Sequence, residues 1–266
     1  MSPWTTVRVK ALKGRQRIAC VTAYDYTSAR LADAAGLPLI LVGDSLAATT
    51  LGYADTLPVT MDEMLHHTRA VTRGVREALV VADMPFMSYH ASVGKGVANA
   101  GRFVKEARAT AVKIEGGAFR VPLVETLIHN GIPVMGHIGL TPQSIKVMGG
   151  YRIQGRTPEE AGRLLDDAKA LDDAGVFALV LECVPRALAA EITRTVSAPT
   201  IGIGAGPECD GQVLVFHDLL GLYPDEGPRL TFVKRYASLG ATAVRALQRY
   251  RGDVEKGKFP TRAQSF

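Results

Sequence analysis

The stretch AGLPLILVGDS, Ala35–Ser45, joins three structural signals in one short segment. Gly36 is placed where a helix would end, and glycine can take the left-handed conformation that turns the chain back into a sheet. Leu39–Val42 is an apolar run of strand length, and the polar residues Asp44 and Ser45 follow it directly. A helix end, a buried strand and a polar strand end in this order are typical of one unit of a parallel α/β sheet.

The same arrangement recurs along the chain, and glycine precedes an apolar run twice more, at Gly131 and Gly175. The predicted strands are Ile18–Ala23, Leu39–Val42, Leu79–Ala82, Ala111–Ile114, Pro133–Gly136, Phe177–Leu181, Pro199–Ile203 and Val213–Phe216. The predicted helices are Met61–Glu77, Asn99–Thr110, Val121–Asn130, Pro158–Ala174, Pro185–Val196 and Phe232–Arg251. Eight βα units in 266 residues predict a (β/α)8 barrel, one domain over residues 1–266 with short terminal extensions.

The overall composition is that of an ordinary globular protein. Apolar residues make up 47% of the chain and charged residues 21%, which excludes intrinsic disorder. The formal net charge is +5, and the basic residues are spread out rather than grouped. We therefore expect a modest attraction for anions and no nucleic-acid partner.

The cysteines and the apolar runs bear on the cellular compartment in which the protein is expected. Cys20, Cys183 and Cys209 are odd in number, far apart and without a C-x-x-C pair, which indicates free thiols. No apolar stretch approaches the ~20 residues of a transmembrane helix, and the first residues lack the apolar core of a signal peptide. We expect a cytoplasmic protein with no membrane partner.

In a barrel of this type the chemistry lies at the carboxyl ends of the strands, so the residues after each apolar run are the candidates for function. Asp44, Asp83, His137 and Glu182 each follow such a run. In Ala111–Gly116, side-chain alternation places Lys113 and Glu115 together on one face, which we expect to be the barrel mouth.

Asp44, Asp83 and Glu115 form a group of three carboxylates from neighbouring strands. Like charges in a small volume repel unless something neutralises them. Hard oxygen ligands without nearby thiols suit Mg²⁺ or Mn²⁺, so the pattern favours a divalent metal site. The alternative is that each acid makes its own structural pairing with an arginine or a helix N-terminus.

Three further residues at the predicted mouth have roles that the pattern leaves partly open. Glu182 follows a very apolar strand and suits a proton acceptor, or it pairs with Arg186 at the rim. Lys113 could neutralise a substrate carboxylate or enolate, or it could form a Schiff base. The nearby anions favour the charged ammonium and therefore the first role. His137 hydrogen-bonds a substrate or is an ordinary core histidine.

Six motifs, most of them at strand ends, resemble those of one enzyme family. They are Val42–Leu46 (VGDSL), Thr60–Met64 (TMDEM), Asp83–Phe86 (DMPF), Val112–Gly116 (VKIEG), Gly131–Gln143 (GIPVMGHIGLTPQ) and Ile201–Gly206 (IGIGAG). In this order, from about Val21 to Leu220, the chain resembles the ketopantoate hydroxymethyltransferase (3-methyl-2-oxobutanoate hydroxymethyltransferase) family. The block from Gly131 to Gln143 is the most specific of the motifs.

The resemblance implies a TIM barrel of the phosphoenolpyruvate/pyruvate type that requires Mg²⁺, or another divalent cation such as Mn²⁺. It implies transfer of a hydroxymethyl group from the co-substrate 5,10-methylenetetrahydrofolate to 3-methyl-2-oxobutanoate through a Mg²⁺-stabilised enolate. The product would be ketopantoate, in pantothenate and coenzyme A biosynthesis. It also implies a homo-oligomer, often a decamer.

The resemblance assigns roles to individual residues as well. The implied metal ligands are Asp44 and Asp83, with Glu115 in the metal shell directly or through water. The implied ketoacid pocket contains Asp44, Ser45, Asp83, Lys113 and His137. Glu182 would be the catalytic proton acceptor.

Two other functions remain open at this stage. A metal-dependent aldolase or lyase acting on another α-ketoacid would use the same barrel, metal and enolate. A non-catalytic protein that binds anions or nucleic acid would group basic residues with aromatic ones, whereas aromatic residues make up only 6% of this chain.

Overall fold

The computed structural model describes residues 3–224 and 230–266. Eight parallel strands follow one another around a closed barrel, and the last strand pairs with the first. The strands are β1 Ile18–Thr22, β2 Leu39–Val42, β3 Leu79–Asp83, β4 Ala111–Glu115, β5 Val134–Gly139, β6 Ala178–Glu182, β7 Thr200–Ile203 and β8 Gly211–Leu214. The predicted fold class, a (β/α)8 barrel, is confirmed.

Helices alternate with most of these strands. They are α1 Thr6–Lys10, α2 Tyr26–Ala34, α3 Leu46–Thr49, α4 Met61–Gly74, α5 Val93–Ala107, α6 Val121–His129, α7 Ile145–Met148, α8 Pro158–Asp173, α9 Arg186–Thr195, α10 Phe216–Leu220 and α11 Leu239–Glu255. Short 3₁₀ turns occupy Ala118–Arg120, Pro142–Ser144 and Arg262–Gln264. The predicted turn glycines Gly36, Gly131 and Gly175 all have left-handed backbone, with φ of +76°, +77° and +94°.

Two predicted helix boundaries were wrong. Helix α5 begins at Val93 rather than Asn99, because Ser92 caps it and the nearby glycines obscured its periodicity. Helix α11 begins at Leu239 rather than Phe232. The Tyr236 N–H donates to the Leu219 carbonyl of α10, a bond that lies outside any helical ladder. Residues 231–232 form a turn, and residues 233–238 form a connection without regular secondary structure.

The last strand begins and ends two residues earlier than the predicted Val213–Phe216. Strand β8 begins at Gly211, where an added Cβ would lie 2.4 Å from the Ile18 carbonyl oxygen, so only glycine allows this approach. No helix lies between β7 and β8, although residues 204–210 are all described. Seven extended residues reach about 23 Å, which is enough to return along a strand of four residues without a helix.

An apolar cluster drawn from all eight strands fills the lower part of the barrel. Its members are Val9, Ile18, Cys20, Leu39, Leu41, Leu79, Val81, Ala111, Met135, Phe177, Ala178, Val180, Ile201 and Val213. Val9 comes from α1 and is fully buried, and Trp4 and Leu12 pack against the same cluster. Helix α1 therefore closes the barrel at the end opposite the polar strand termini.

The chain forms two compact units. The first ends at Leu214 and contains all eight strands, and the second begins at Val215 and contains α10 and α11. Cys20, Cys183 and Cys209 are all free thiols, as expected. Within residues 3–224 and 230–266, every helix is too short or too polar to cross a bilayer.

Two aspartates hold the loops that lead into β3 and β7. Asp33, near the end of α2, accepts the backbone N–H groups of residues 76, 77 and 78 at 2.9–3.0 Å, just before β3. Asp172, near the end of α8, accepts the N–H groups of Ser197 and Ala198 before β7. Burial raises the pKa of Asp33, but the backbone hydrogen bonds outweigh it, so the net pKa lies below its ordinary value.

We predict that Asp33→Ala lowers the free energy of unfolding by about 1–3 kcal/mol, because backbone donors lose their acceptor. Since folding depresses the Asp33 pKa, this stabilisation is present above the ordinary carboxyl pKa of about 3.9 and is lost as the pH falls through the lower folded-state value. Urea unfolding of both proteins at neutral and acidic pH measures the difference. Asp173→Ala, at an exposed neighbour of Asp172, is the control, and an equal loss in both variants would contradict the role of Asp33.

Candidate active site

A polar layer lies directly above the apolar cluster. Along four strands, the residue two positions after a cluster member is ionisable, and the pairs are Val81 and Asp83, Ala111 and Lys113, Met135 and His137, and Val180 and Glu182. Because alternate residues of a strand share a face, these side chains point into the barrel. In the sheet, Asp83 lies beside Lys113 and Glu115 beside His137.

Lys113 lies at the centre of this layer. Its Nζ is 2.8 Å from Asp83 Oδ1 and 3.6 Å from Glu115 Oε1, and only 4% of the side chain is exposed. Burial alone lowers the pKa of Lys113, but the carboxylates of Asp83, Glu115 and Asp44 raise it above its ordinary value. The amine is therefore an ammonium at neutral pH, which favours charge neutralisation over a Schiff base.

Asp44 and Asp83 are brought together as predicted. The Asp44 backbone N–H donates to Asp83 Oδ2 at 3.2 Å. Burial raises the pKa of Asp44 well above its ordinary value, and the charges of Asp83 and Glu115 raise it further. Burial also raises the pKa of Asp83, although Lys113 opposes the shift. These two carboxylates are thus crowded by like charge, which a bound cation would relieve.

Glu115 joins the group from β4. Its Oε2 accepts the backbone N–H of Gln143 at 3.0 Å, while its Oε1 is buried without a hydrogen bond. That oxygen lies 3.4 Å from His137 Nδ1, in addition to its contact with Lys113. Burial raises the pKa of Glu115, but the charge of Lys113 and the backbone hydrogen bond from Gln143 oppose it, and the net pKa lies below its ordinary value. Glu115 is therefore an anion at neutral pH.

His137 connects Lys113 to Glu182. Its Nδ1 lies 3.0 Å from Lys113 Nζ, and its Nε2 lies 3.3 Å from Glu182 Oε2. Burial and the Lys113 charge lower the pKa of His137, whereas Glu115 and Glu182 raise it, to a net value of about 9. A doubly protonated ring nevertheless disagrees with the 3.0 Å contact, since two N–H donors would repel there. We therefore assign a neutral ring that accepts at Nδ1 and carries its proton on Nε2, facing Glu182.

Arg186, Cys183 and Ser45 lie at the rim of the site, and the structure gives each of them its own surroundings. Arg186 donates to Glu208 at 2.6 Å, so it is engaged away from Glu182. Burial, followed by the charge of Glu182, raises the pKa of Cys183 to about 11, which keeps this thiol protonated. Ser45 stands directly after Asp44, and its Oγ lies 2.8 Å from the Tyr24 hydroxyl.

Two buried residues at this site, Gln143 and Tyr89, were not among the candidates found from the sequence. Gln143, in the turn after β5, donates from Nε2 to Asp44 Oδ2 at 2.9 Å. The Tyr89 hydroxyl accepts the Glu115 N–H at 3.1 Å and donates to Gln143 Oε1 at 2.8 Å. The only available signal was that Gln143 closes the specific block beginning at Gly131, because neither residue continues a strand face.

The carboxylates suit a magnesium ion, although they do not form a complete cage. Within residues 3–224 and 230–266, no group of three or more His, Cys, Asp or Glu side chains is spaced to hold a metal by itself. Mg²⁺ is usually bound by one or two carboxylates, with water and substrate oxygens completing the octahedron. The adjacent pair Asp44 and Asp83, with the unsatisfied Glu115 Oε1 nearby, fits that requirement.

Known proteins resemble this chain over nearly its full length. The sequence profile of the family described as ketopantoate hydroxymethyltransferase matches residues 4–262. The chain is 58% identical to 3-methyl-2-oxobutanoate hydroxymethyltransferase of Moorella thermoacetica, covering 98% of this chain and 97% of the relative. It is 52% identical to the protein of the same name from Clostridium novyi, covering 100% and 96%.

Solved structures share the barrel at much lower identity. A 2,3-dimethylmalate lyase of the PEP mutase/isocitrate lyase superfamily aligns with a TM-score of 0.62 and 19% identity, covering 100% of this chain and 89% of that one. A phosphonopyruvate hydrolase in complex with oxalate and Mg²⁺ aligns with a TM-score of 0.61 and 13% identity, covering 95% and 88%. At these identities the likeness concerns the fold.

We predict that Lys113→Met lowers the free energy of unfolding by about 3–5 kcal/mol, because it leaves buried carboxylates without their cation. Urea unfolding at neutral pH in the presence of EDTA measures the change in the absence of divalent metal. Lys105→Met, at an exposed position of α5, is the matched control and should change stability little. A loss below about 1 kcal/mol, the usual range for an exposed pair, would show that the buried ion pair is not structural.

Proposed function

Since the chain belongs to the ketopantoate hydroxymethyltransferase family, we propose that it transfers a hydroxymethyl group from 5,10-methylenetetrahydrofolate to 3-methyl-2-oxobutanoate. The product is ketopantoate. The observation that carries the chemistry is the buried Lys113 ammonium among carboxylates, with Glu182 and His137 on the neighbouring strands. This arrangement joins a positive charge for an anionic ketoacid to a proton acceptor. Family membership favours this transferase over an aldolase or lyase acting on another α-ketoacid.

Lys113 and Ser45 would bind the ketoacid. The ammonium is preorganised by its 2.8 Å contact with Asp83, so it need not reorient when negative charge develops on the substrate oxygens. The Ser45 hydroxyl is oriented by Tyr24 at 2.8 Å and offers a hydrogen bond at the same mouth. His137 borders this pocket through its contact with Lys113.

Asp44 and Asp83 would hold a divalent cation, with Glu115 contributing directly or through water. The crowding of these buried carboxylates and the unsatisfied Glu115 Oε1 support the proposal. When bound, Mg²⁺ would supply Lewis acidity and positive charge to the carboxylate and keto oxygens of the ketoacid.

Glu182 would take the proton from C3 of the ketoacid. Its carboxylate is 16% exposed, so it can meet a substrate, and His137 Nε2 lies 3.3 Å from Oε2 and orients it. The electrons of the broken C3–H bond form the enolate, which attacks the one-carbon unit of the folate. Water then supplies the hydroxyl oxygen, both bonds from the methylene carbon to folate nitrogens break, and those nitrogens take up the proton from C3 and one proton of the water, so that tetrahydrofolate leaves.

Three wider assignments extend this proposal. We place the reaction in pantothenate and coenzyme A biosynthesis, because ketopantoate is its product. We place the protein in the cytoplasm, which the three free cysteines support. We expect a homo-oligomer, most simply a decamer as the family resemblance implies, and sedimentation velocity would test the number of subunits.

We predict that ketopantoate forms from 3-methyl-2-oxobutanoate and methylenetetrahydrofolate, and that EDTA abolishes its formation until Mg²⁺ is restored. A coupled assay with and without chelator measures both effects. Asp83→Ala should lose the metal-dependent activity, whereas Asp62→Ala, on the exposed surface of α4, should keep it. Full activity in EDTA would rule out the metal, and a folate-independent cleavage of hydroxy-ketoacids would point to a lyase.

We predict that Glu182→Gln lowers kcat by several orders of magnitude while the ketoacid still binds, since the amide keeps the shape but cannot accept the proton. Steady-state kinetics and direct titration with 3-methyl-2-oxobutanoate separate the two effects. Glu191→Gln, at an exposed site of α9, is the matched control. Near-normal turnover in Glu182→Gln would remove this residue as the base.

A further inference from the structure

We propose that Gln143 is a positioning residue of this site, and that its side-chain amide holds Asp44 in the orientation needed to receive a divalent cation. Gln143 is 4% exposed and lies in the turn that follows β5. The inference rests on the proposed metal site and adds a residue that neither binds the metal nor touches the ketoacid in that proposal.

The amide of Gln143 connects the ends of three strands. Its Nε2 donates to Asp44 Oδ2 after β2 and to the Met84 carbonyl oxygen after β3, both at 2.9 Å. Its Oε1 accepts from the Tyr89 hydroxyl at 2.8 Å, and that hydroxyl accepts the Glu115 N–H of β4. One uncharged side chain therefore links the backbone or side chains of β2, β3 and β4.

These hydrogen bonds permit only one orientation of the amide. A backbone carbonyl cannot donate, so the nitrogen of Gln143 must face Met84, and the same nitrogen then faces Asp44. The Tyr89 proton points to Gln143 Oε1, because that oxygen lies at 2.8 Å and can only accept, whereas the Glu115 carbonyl oxygen is farther away at 3.5 Å. Both protons and the oxygen of the amide are thus used, so this buried side chain has no unpaired polar atom.

The hydrogen bond from Gln143 fixes the Asp44 carboxylate close to a second carboxylate. Asp44 lies beside Asp83, and two like charges would otherwise turn away from each other. With Oδ2 committed to Gln143, the other oxygen of Asp44 is the one that a cation or an anionic ketoacid complex would meet. Groups that orient a metal ligand in this way typically change affinity by about 10–100-fold when they are removed.

The side chain and the backbone of Gln143 act on different carboxylates. The backbone N–H donates to Glu115 Oε2 at 3.0 Å and survives any side-chain substitution. A change at the side chain alone therefore removes the support of Asp44 while Glu115 keeps its own. A side-chain variant therefore tests the positioning of Asp44 while the backbone contact that supports Glu115 stays in place.

The test compares Gln143→Met with Gln154→Met, two identical substitutions after β5. The side chain of Gln154 donates to the Arg152 carbonyl, two residues away, at 3.0 Å. The probe is Mn²⁺ alone, titrated calorimetrically without ketoacid or folate, together with thermal unfolding and the separate values of kcat and KM. We expect Gln143→Met to bind Mn²⁺ about 10–100-fold more weakly, and Gln154→Met to match the wild-type chain within about twofold.

Gln143→Asn provides a second variant if the methionine protein does not fold. It keeps an uncharged amide in the turn but is one methylene shorter, which withdraws the donor from Asp44 Oδ2, so the same loss of Mn²⁺ affinity is expected. A lower melting temperature with unchanged Mn²⁺ affinity in the folded variants would show a merely structural role and overturn the inference. A wild-type chain that binds no Mn²⁺ would overturn the proposed metal site, and this inference with it.

Discussion

The buried ammonium of Lys113 is the interaction on which this site depends. Taking a charge out of water costs several kcal/mol, and only close partners of opposite sign offset that cost. Asp83 at 2.8 Å and Glu115 at 3.6 Å provide them, and both need the lysine in turn because they are equally buried. In the low-dielectric barrel these charges act on one another far more strongly than at a surface, so the same arrangement can act on a substrate.

The barrel supplies the rigidity that such a site requires. An apolar cluster from all eight strands, closed by Val9 of α1, lies beneath the polar layer and excludes water from it. Asp33 and Asp172 hold the loops that lead into β3 and β7. Catalytic groups carried by strands are positioned more precisely than groups on loops, which is why the two residues in turns, Asp44 and Gln143, need hydrogen bonds to fix them.

The fold was predictable because its signals are local. Apolar runs such as Leu39–Val42 coincide with observed strands, and Gly36 has the left-handed backbone that its position implied. The predicted bounds of β8 and α11 were wrong because contacts with distant residues outweigh the local preferences of the sequence there. Strand β8 begins at Gly211, a weak strand former that is required because the backbone of β1 lies so close. In the predicted helix before Leu239, the Tyr236 N–H bonds instead to the Leu219 carbonyl of α10.

The sequence by itself determined the class of barrel and the group Asp44, Asp83, Lys113, Glu115 and His137. Side-chain alternation and the ends of apolar runs are both set by residues that lie close together in the chain. Only the tertiary structure decided the partners of those residues. It directs Arg186 to Glu208 rather than to Glu182, and it brings Gln143 to Asp44 across 99 positions of the chain. Hydrogen bonds depend on distances and angles in space, and no local pattern specifies those between residues so far apart.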